Sequence, residues 1–234
     1  MKVVPMIFNT YMVKALMAGD NLVTRRPVNE KYSEYIKFIG SSDLACENLE
    51  FLGLMYDTWQ GDNDKMRGPE YLVYCTEYPE EGVIPIGHGV ARKGDLIYVR
   101  ETFGCCGVRI VYKADDDGAS CMVKKWTPSI HMPRTESRLT LKVTDVRIER
   151  VQDITEEQCW KEGVEHIDGQ FDIHQLSEMA KTFDGTFEDA KALFACLWDS
   201  IYQNWKENPY VWVIEFEVIH QNVDKYLESV KEAA

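Results

Sequence analysis

The ten residues Tyr210–Ile219, Tyr-Val-Trp-Val-Ile-Glu-Phe-Glu-Val-Ile, constrain the fold more than any other stretch of this chain. Tyr210, Trp212, Ile214, Phe216 and Val218 share one face of the two-residue period, while Val211, Val213 and Ile219 hold most of the other. Aromatic and β-branched side chains at this density favour a strand, and one apolar on both faces belongs in the middle of a sheet. Asn208-Pro209 supplies the turn that leads into it.

The rest of the chain supplies strands and helices to surround that element. Residues 3–8 read as a short apolar strand; Asn9 or Thr10 then caps a helix with Met12, Val13, Leu16 and Met17 on one face, stopped by Gly19. Residues 20–29 read as a polar loop carrying Arg25 and Arg26, with solvated surface as the ordinary fate of such a pair. Residues 30–39 have helical spacing, 44–59 suit helix or strand equally, 61–69 read as a loop and 71–74 as a strand. His88 falls in a Gly- and Pro-rich loop over 79–94. Residues 96–102, 108–113 and 121–126 have the period of short strands, with a turn at 115–118, and 139–151 adds one long strand or two.

Helices return at Thr155, where Thr-Glu-Glu-Gln is a capping-box pattern closed by Gly163. Residues 172–182 are weakly helical. Thr186 caps a longer helix whose stripe runs Phe187, Ala190, Leu193, Phe194, Leu197, Trp198, Ile201 and Trp205. The tail, 221–234, has helical spacing through Val223, Tyr226, Leu227 and Val230. The order gives an α+β fold: one domain over 1–220 with an insertion around 30–78, and short antiparallel strands spaced as in a small β-barrel with flanking helices.

Charge narrows the partners. The 234 residues carry a net charge of −13, which disfavours long duplex DNA and suits a small ligand, a short single strand or a protein. No apolar run reaches the ~18 to 20 residues of a membrane span, and Asn9, Thr10 and Lys14 interrupt any signal-like start. A soluble, cytoplasmic protein without a membrane partner is expected. The seven cysteines include no Cys-x-x-Cys, so reduced thiols acting as small buried hydrophobes are expected. Cys105, Cys106 and Cys121 with His131 match no usual ligand spacing, so neither metal nor cofactor is expected.

The stretch 124–143 gathers the richest chemistry. It holds Lys124, Lys125, Trp126, His131, Arg134, Ser137 and Arg138, with a turn region between Pro128 and Pro133. A ring beside guanidinium groups suits a flat base and its phosphate. The same residues also suit a loop whose Trp fills the core and whose arginines pair with carboxylates.

Five stretches in fixed order carry a family resemblance: Ile7-Phe8-Asn9-Thr10 with Met12-Val13 and Ala18-Gly19; Thr24-Arg25-Arg26; Gly94-Asp95-Leu96-Ile97-Tyr98-Val99-Arg100-Glu101-Thr102; Trp126-Thr127-Pro128-Ser129-Ile130-His131-Met132-Pro133-Arg134 with Ser137-Arg138-Leu139; and Leu197-Trp198-Asp199-Ser200 through Asn208-Pro209-Tyr210-Val211-Trp212-Val213. In these the chain resembles phage and prophage proteins of the ASCH group, within the PUA-like superfamily of small β-barrels. The resemblance implies a cleft for RNA, a nucleotide or a modified base, in the cytoplasm of a bacterial host. It implies ligand-binding roles for Asn21, Arg25, Arg26, Trp126, His131, Arg134, Ser137 and Arg138. Some ASCH proteins resemble amidohydrolases of N4-acetylcytidine; on their pattern Thr24 and Glu101 are the catalytic candidates. Asn21 and Leu22 stand where that pattern has Lys and Thr, and an amide cannot serve as the base that activates a hydroxyl. Lys14, Lys124 or Lys125 are the substitutes to look for. An accessory role, sequestering a host nucleotide or blocking a host protein, also fits the acidic surface.

Overall fold

The computed structural model describes residues 1–20, 22–28, 48–55, 69–115, 118–164, 177–178, 180–181, 185 and 189–232. Their strands are β1 Val3–Ile7, β2 Val23–Pro27, β3 Leu49–Met55, β4 Glu70–Cys75, β5 Val83–Pro85, β6 Leu96–Arg100, β7 Phe103–Cys105, β8 Ile110–Tyr112, β9 Thr140–Arg150 and β10 Tyr210–Ile219. Their α-helices are α1 Thr10–Ala18, α2 Glu156–Lys161, α3 Ala190–Tyr202 and α4 Val223–Glu232. The expected helix over 30–39, most of the 61–69 loop, most of 172–182, the Thr186 cap, Asp116, Asp117 and Asn21 lie outside the described residues.

The main sheet runs β1-β6-β9-β10-β2, and β10 is an inner strand as its two apolar faces require. On one face Trp212, Ile214 and Phe216 meet Met12, Val13 and Leu16 of α1 and the buried residues of β6 and β9. The small sheet β3-β4-β5 closes over this inner face, with Tyr71 5.0 Å from Trp212 between ring centroids. On the other face Val211 and Val213 pack with Cys159 of α2 and Phe194, Leu197 and Trp198 of α3. The region expected as an insertion thus contributes Tyr71, Val73 and Cys75 to the same core as the main sheet.

Local chemistry sets the helix ends. Asn9 Oδ1 accepts from the Met12 N–H at 2.8 Å, and Gly19 closes α1 at φ +84°, a left-handed conformation that glycine adopts without strain. The Thr155–Gln158 capping box starts α2 as expected. In α3 the stripe is buried at Phe194, Leu197 and Trp198, but Ile201 is exposed, and Trp205 packs from the short turn that follows.

The fold corrects several expectations. Residues 20–29 are not a polar loop: β2 lies within them, paired antiparallel to β10, because Val23 and Val28 anchor both ends in the core. Residues 121–126 are not a strand: the first two end a short 3-10 helix, Gly118–Met122, and Met122, Lys124 and Lys125 are exposed, so no alternating face is available to bury. The main sheet is mixed, since β1 runs parallel to β6, and no ladder joins β1 to β2. These described strands therefore form no closed antiparallel barrel. The sheet nevertheless curls until its edges meet: Arg26 Nη2 of β2 donates to the Ile7 carbonyl of β1 at 2.9 Å. Among the described residues no helix is long and apolar enough to cross a membrane. Cys75 is disulfide-bonded, contrary to the expected reduced thiols, whereas Cys105, Cys106, Cys121, Cys159 and Cys196 are free.

Candidate functional site

The curled end of the main sheet joins three of the predicted residues, Glu101, Arg138 and Arg26, through direct contacts and the Phe8 backbone. β6 ends at Arg100, and Glu101 follows it into the interior at 1 % exposure. Arg138, just before β9, grips that carboxylate with both arms, Nε to Oε1 at 2.9 Å and Nη2 to Oε2 at 3.0 Å. Its remaining arm donates to Asp115 at 2.6 Å, and its guanidinium lies 4.1 Å from the Tyr112 ring centroid. Burial pushes the Glu101 carboxyl up from its ordinary range, and the Arg138 fork pulls against that. Asp115, expected in a turn, is thus a partner in a half-buried network.

Thr24 and Arg26 reach the inner face from the opposite edge of the sheet, registered with Ile214 and Trp212. Arg26 bridges to Ile7, lies 5.2 Å from the Phe8 ring centroid and donates to the Tyr202 hydroxyl at 3.4 Å. The Phe8 N–H in turn donates to the Arg100 carbonyl, one residue before Glu101. A continuous line therefore runs from Arg26 through Phe8 to Glu101 and Arg138. Arg26 Nε and, two positions away on the same strand face, Thr24 Oγ1 are buried and make no hydrogen bond; neither does Arg25 Nε on the outer face. Buried polar atoms are nearly always paired, so two orphans on one strand face mark an unusual place.

Arg25 does not join this line. Alternation turns it to the outer face, where it is 3 % exposed under α2. It donates to Glu162 at 2.9 Å, and to Glu149 and Gln158 at 3.0 Å each. Burial pushes the Glu162 carboxyl up to about 7 despite this partner. Arg147 extends the network, bonding Glu149 and Glu215 at 2.6 Å each. The solvated surface expected for the arginine pair is overturned at Arg25, whose charge is matched inside the protein.

The predicted basic loop is fastened from two sides. Arg100 donates to the carbonyls of Met132, at 3.1 Å, and Ile130. Asn222, ahead of α4, donates to the carbonyls of Arg134 at 2.9 Å and Ser137 at 2.7 Å. Arg134 pairs with Asp224 through Nε at 3.1 Å and Nη2 at 2.5 Å, so the tail helix already neutralises one candidate phosphate ligand. The Ser137 hydroxyl is buried and donates to the Leu139 carbonyl, a local turn contact. His131 is exposed at the loop tip. Trp126 is half-buried against β7: a Cβ on Gly104 would come within 3.4 Å of its ring and 2.4 Å of Val123, so glycine permits the close approach.

Tyr112, Asp115, Arg100, Asn222 and Asp224 escaped the sequence reading. Arg100 could have been found as a cation in an apolar strand, and Asn222 as a side-chain cap ahead of a helical stripe. Asp115 gave no signal, because its partner lies 23 residues away. No protein-family model, curated protein or solved structure matches the chain.

Proposed function

We propose that the chain is a PUA-like domain of the ASCH type, its curled main sheet a small barrel left open between β1 and β2, and that it binds a nucleotide, a modified base or a short single-stranded RNA there. The observation that carries this reading is the pair of orphaned atoms, Thr24 Oγ1 and Arg26 Nε, on the inner face of β2. A base edge offers the donor and the acceptor that such atoms lack. Trp126 is the ring on which the base stacks, and Arg134 meets phosphate by exchanging its half-exposed partner Asp224.

Binding is preferred to hydrolysis of an N4-acylated cytidine. Thr24 Oγ1 has no hydrogen-bonded base to take its proton, and Glu101 is committed to Arg138 with both oxygens. An accessory role in a phage-infected bacterial cytoplasm, holding a host nucleotide, is compatible with the acidic charge.

Calorimetry with mononucleotides, N4-acetylcytidine, short single-stranded RNA and duplex DNA tests the proposal. A small ligand or short strand is expected to bind, and Trp126→Ala and Thr24→Val each to weaken it by ~1 to 3 kcal/mol. Tight duplex binding with a steep salt slope, or ligand affinity indifferent to both substitutions, overturns it.

A further inference from the structure

Residues 221–224 fasten the tail to the body of the fold. The Thr140 hydroxyl donates to the Gln221 carbonyl at 2.8 Å, and Val223 is fully buried. The Asn222 amide donates to the carbonyls of Arg134 at 2.9 Å, Thr135 at 3.4 Å and Ser137 at 2.7 Å. Its Oδ1 accepts from the Asp224 N–H at 3.0 Å, which sets the first turn of α4 against the 134–137 turn. Further along, from Glu228 to Glu232, the helix is exposed. The Asp224 carboxylate takes the Nε and Nη2 edge of Arg134 with its two oxygens, at 3.1 and 2.5 Å, the paired geometry in which a guanidinium also holds a phosphate. This pair is open: the two side chains are 37 % and 49 % exposed, and exposed ion pairs are weak and screened by salt. The backbone of the turn is thus held by Asn222, while the guanidinium is only occupied by Asp224.

The Arg134 guanidinium lies 5.9 Å from the Tyr98 ring centroid. Ile97 and Val99 point into the core, so Tyr98 leaves β6 on the outer side and Arg134 stands at the outer rim of that strand. Glu101 is inside, directly past the same strand end. A ligand on the inner face that also reaches Arg134 crosses the end of β6, and the part that arrives at the guanidinium is its anionic group. We propose that Asp224 is a built-in competitor for the phosphate of the ligand, so that the tail helix lowers affinity for phosphate-bearing ligands and leaves uncharged nucleosides unaffected. The inference rests on the reading of Arg134 as a phosphate ligand. Phosphate displaces the Asp224 side chain, and α4 stays in place on Asn222 and Val223. Two neighbouring tail residues then act in opposite directions: Asn222 positions Arg134 and favours binding, and Asp224 opposes it.

Calorimetry on the full chain, with the common ribonucleoside 5′-monophosphates and the matching nucleosides at low and high salt, tests the competition. Asp224→Asn is expected to bind a monophosphate about two- to fivefold tighter than the native chain at low salt, with the gain shrinking at high salt. Nucleosides should show no such gain, and Asn222→Ala should bind the monophosphate more weakly. Glu228, one turn along α4 and exposed, carries the same charge, and Glu228→Gln should leave affinity unchanged. In an Arg134→Ala background Asp224→Asn should change nothing. If the native chain binds a monophosphate and Asp224→Asn binds it no tighter, the competitor is overturned and the binding site stands. An equal gain for nucleosides, for Glu228→Gln or in the Arg134→Ala background has the same consequence. Failure of both the native chain and Asp224→Asn to bind any monophosphate overturns the phosphate reading of Arg134, and the inference with it.

Discussion

Arg138→Met removes the guanidinium from the Glu101 carboxylate and keeps a side chain of comparable length. Glu101 loses both of its Arg138 hydrogen bonds, at 2.9 and 3.0 Å, and its side chain is only 2 % exposed, so water does not replace them. Removing one partner of a buried ion pair costs ~3 to 5 kcal/mol, because the other charge is left buried and alone. Arg138 and Asp115 are 23 % and 21 % exposed at their side chains, and solvent screening there reduces the figure to ~2 to 4 kcal/mol. Loss of the contact with Tyr112 adds ~0.5 to 1 kcal/mol.

Urea unfolding followed by tryptophan fluorescence reads this cost. The double variant Glu101→Gln/Arg138→Met, which leaves no buried charge at position 101, should be more stable than Arg138→Met alone. The pH dependence provides a second reading. Burial already raises the Glu101 carboxyl above 4.5, and loss of Arg138 raises it further. A raised carboxyl makes the folded state hold its proton where the unfolded state has released it. The variant should therefore be least impaired below pH 4.5 and lose stability as pH rises through the folded pKa. A cost under ~0.5 kcal/mol, flat with pH and equal in single and double variants, refutes the buried fork.

Three further outcomes follow from the same contacts. Glu162, raised to about 7 by burial, gives stability that is present below 4.5 and lost as pH rises to 7; Glu162→Gln should flatten that slope in melting temperature, and an unchanged slope counts against it. Asn222→Ala removes the donor to the Arg134 and Ser137 carbonyls and the acceptor for the Asp224 N–H, so it should cost ~1 to 2 kcal/mol and speed hydrogen exchange around 134–138. Thr24→Val exchanges an unpaired buried hydroxyl for a methyl group and should leave stability equal or raise it by ~1 kcal/mol; a clear loss in the same unfolding assay shows that the hydroxyl has a partner.

Local pattern carried much of this architecture in plain view. The period of β10, the Asn9 and Thr155 caps and the Gly19 stop all rest on contacts within a few residues or on one alternating face, whereas the pattern left open whether 139–151 is one strand, as β9 is, or two. What escaped depends on partners far along the chain. The placement of α4 against the basic loop rests on Asn222 and Asp224 meeting Arg134 about 90 residues earlier. The parallel pairing of β1 with β6 joins residues more than 90 apart, and neither strand's composition announces its direction.

The division of the candidate site comes from one misread element. Taken as a loop, Thr24-Arg25-Arg26 can aim all three side chains at one ligand; taken as a strand, it cannot, because successive side chains leave on opposite faces. Residues 20–29 look polar only when the arginines are counted as surface. Val23 and Val28 bracket them, and each guanidinium finds its oxygen acceptors inside the fold: carboxylates and an amide for Arg25, a main-chain carbonyl and a hydroxyl for Arg26. Arg25 thereby cements α2 onto the outer face, while Arg26 draws the two sheet edges together on the inner one. The adjacent arginines do different work, and it is Arg26 and Thr24 that lie on the inner face, where the proposed ligand would have to reach them. A substitution at Arg25 should accordingly be read in the unfolding curve, and one at Thr24 in the binding isotherm.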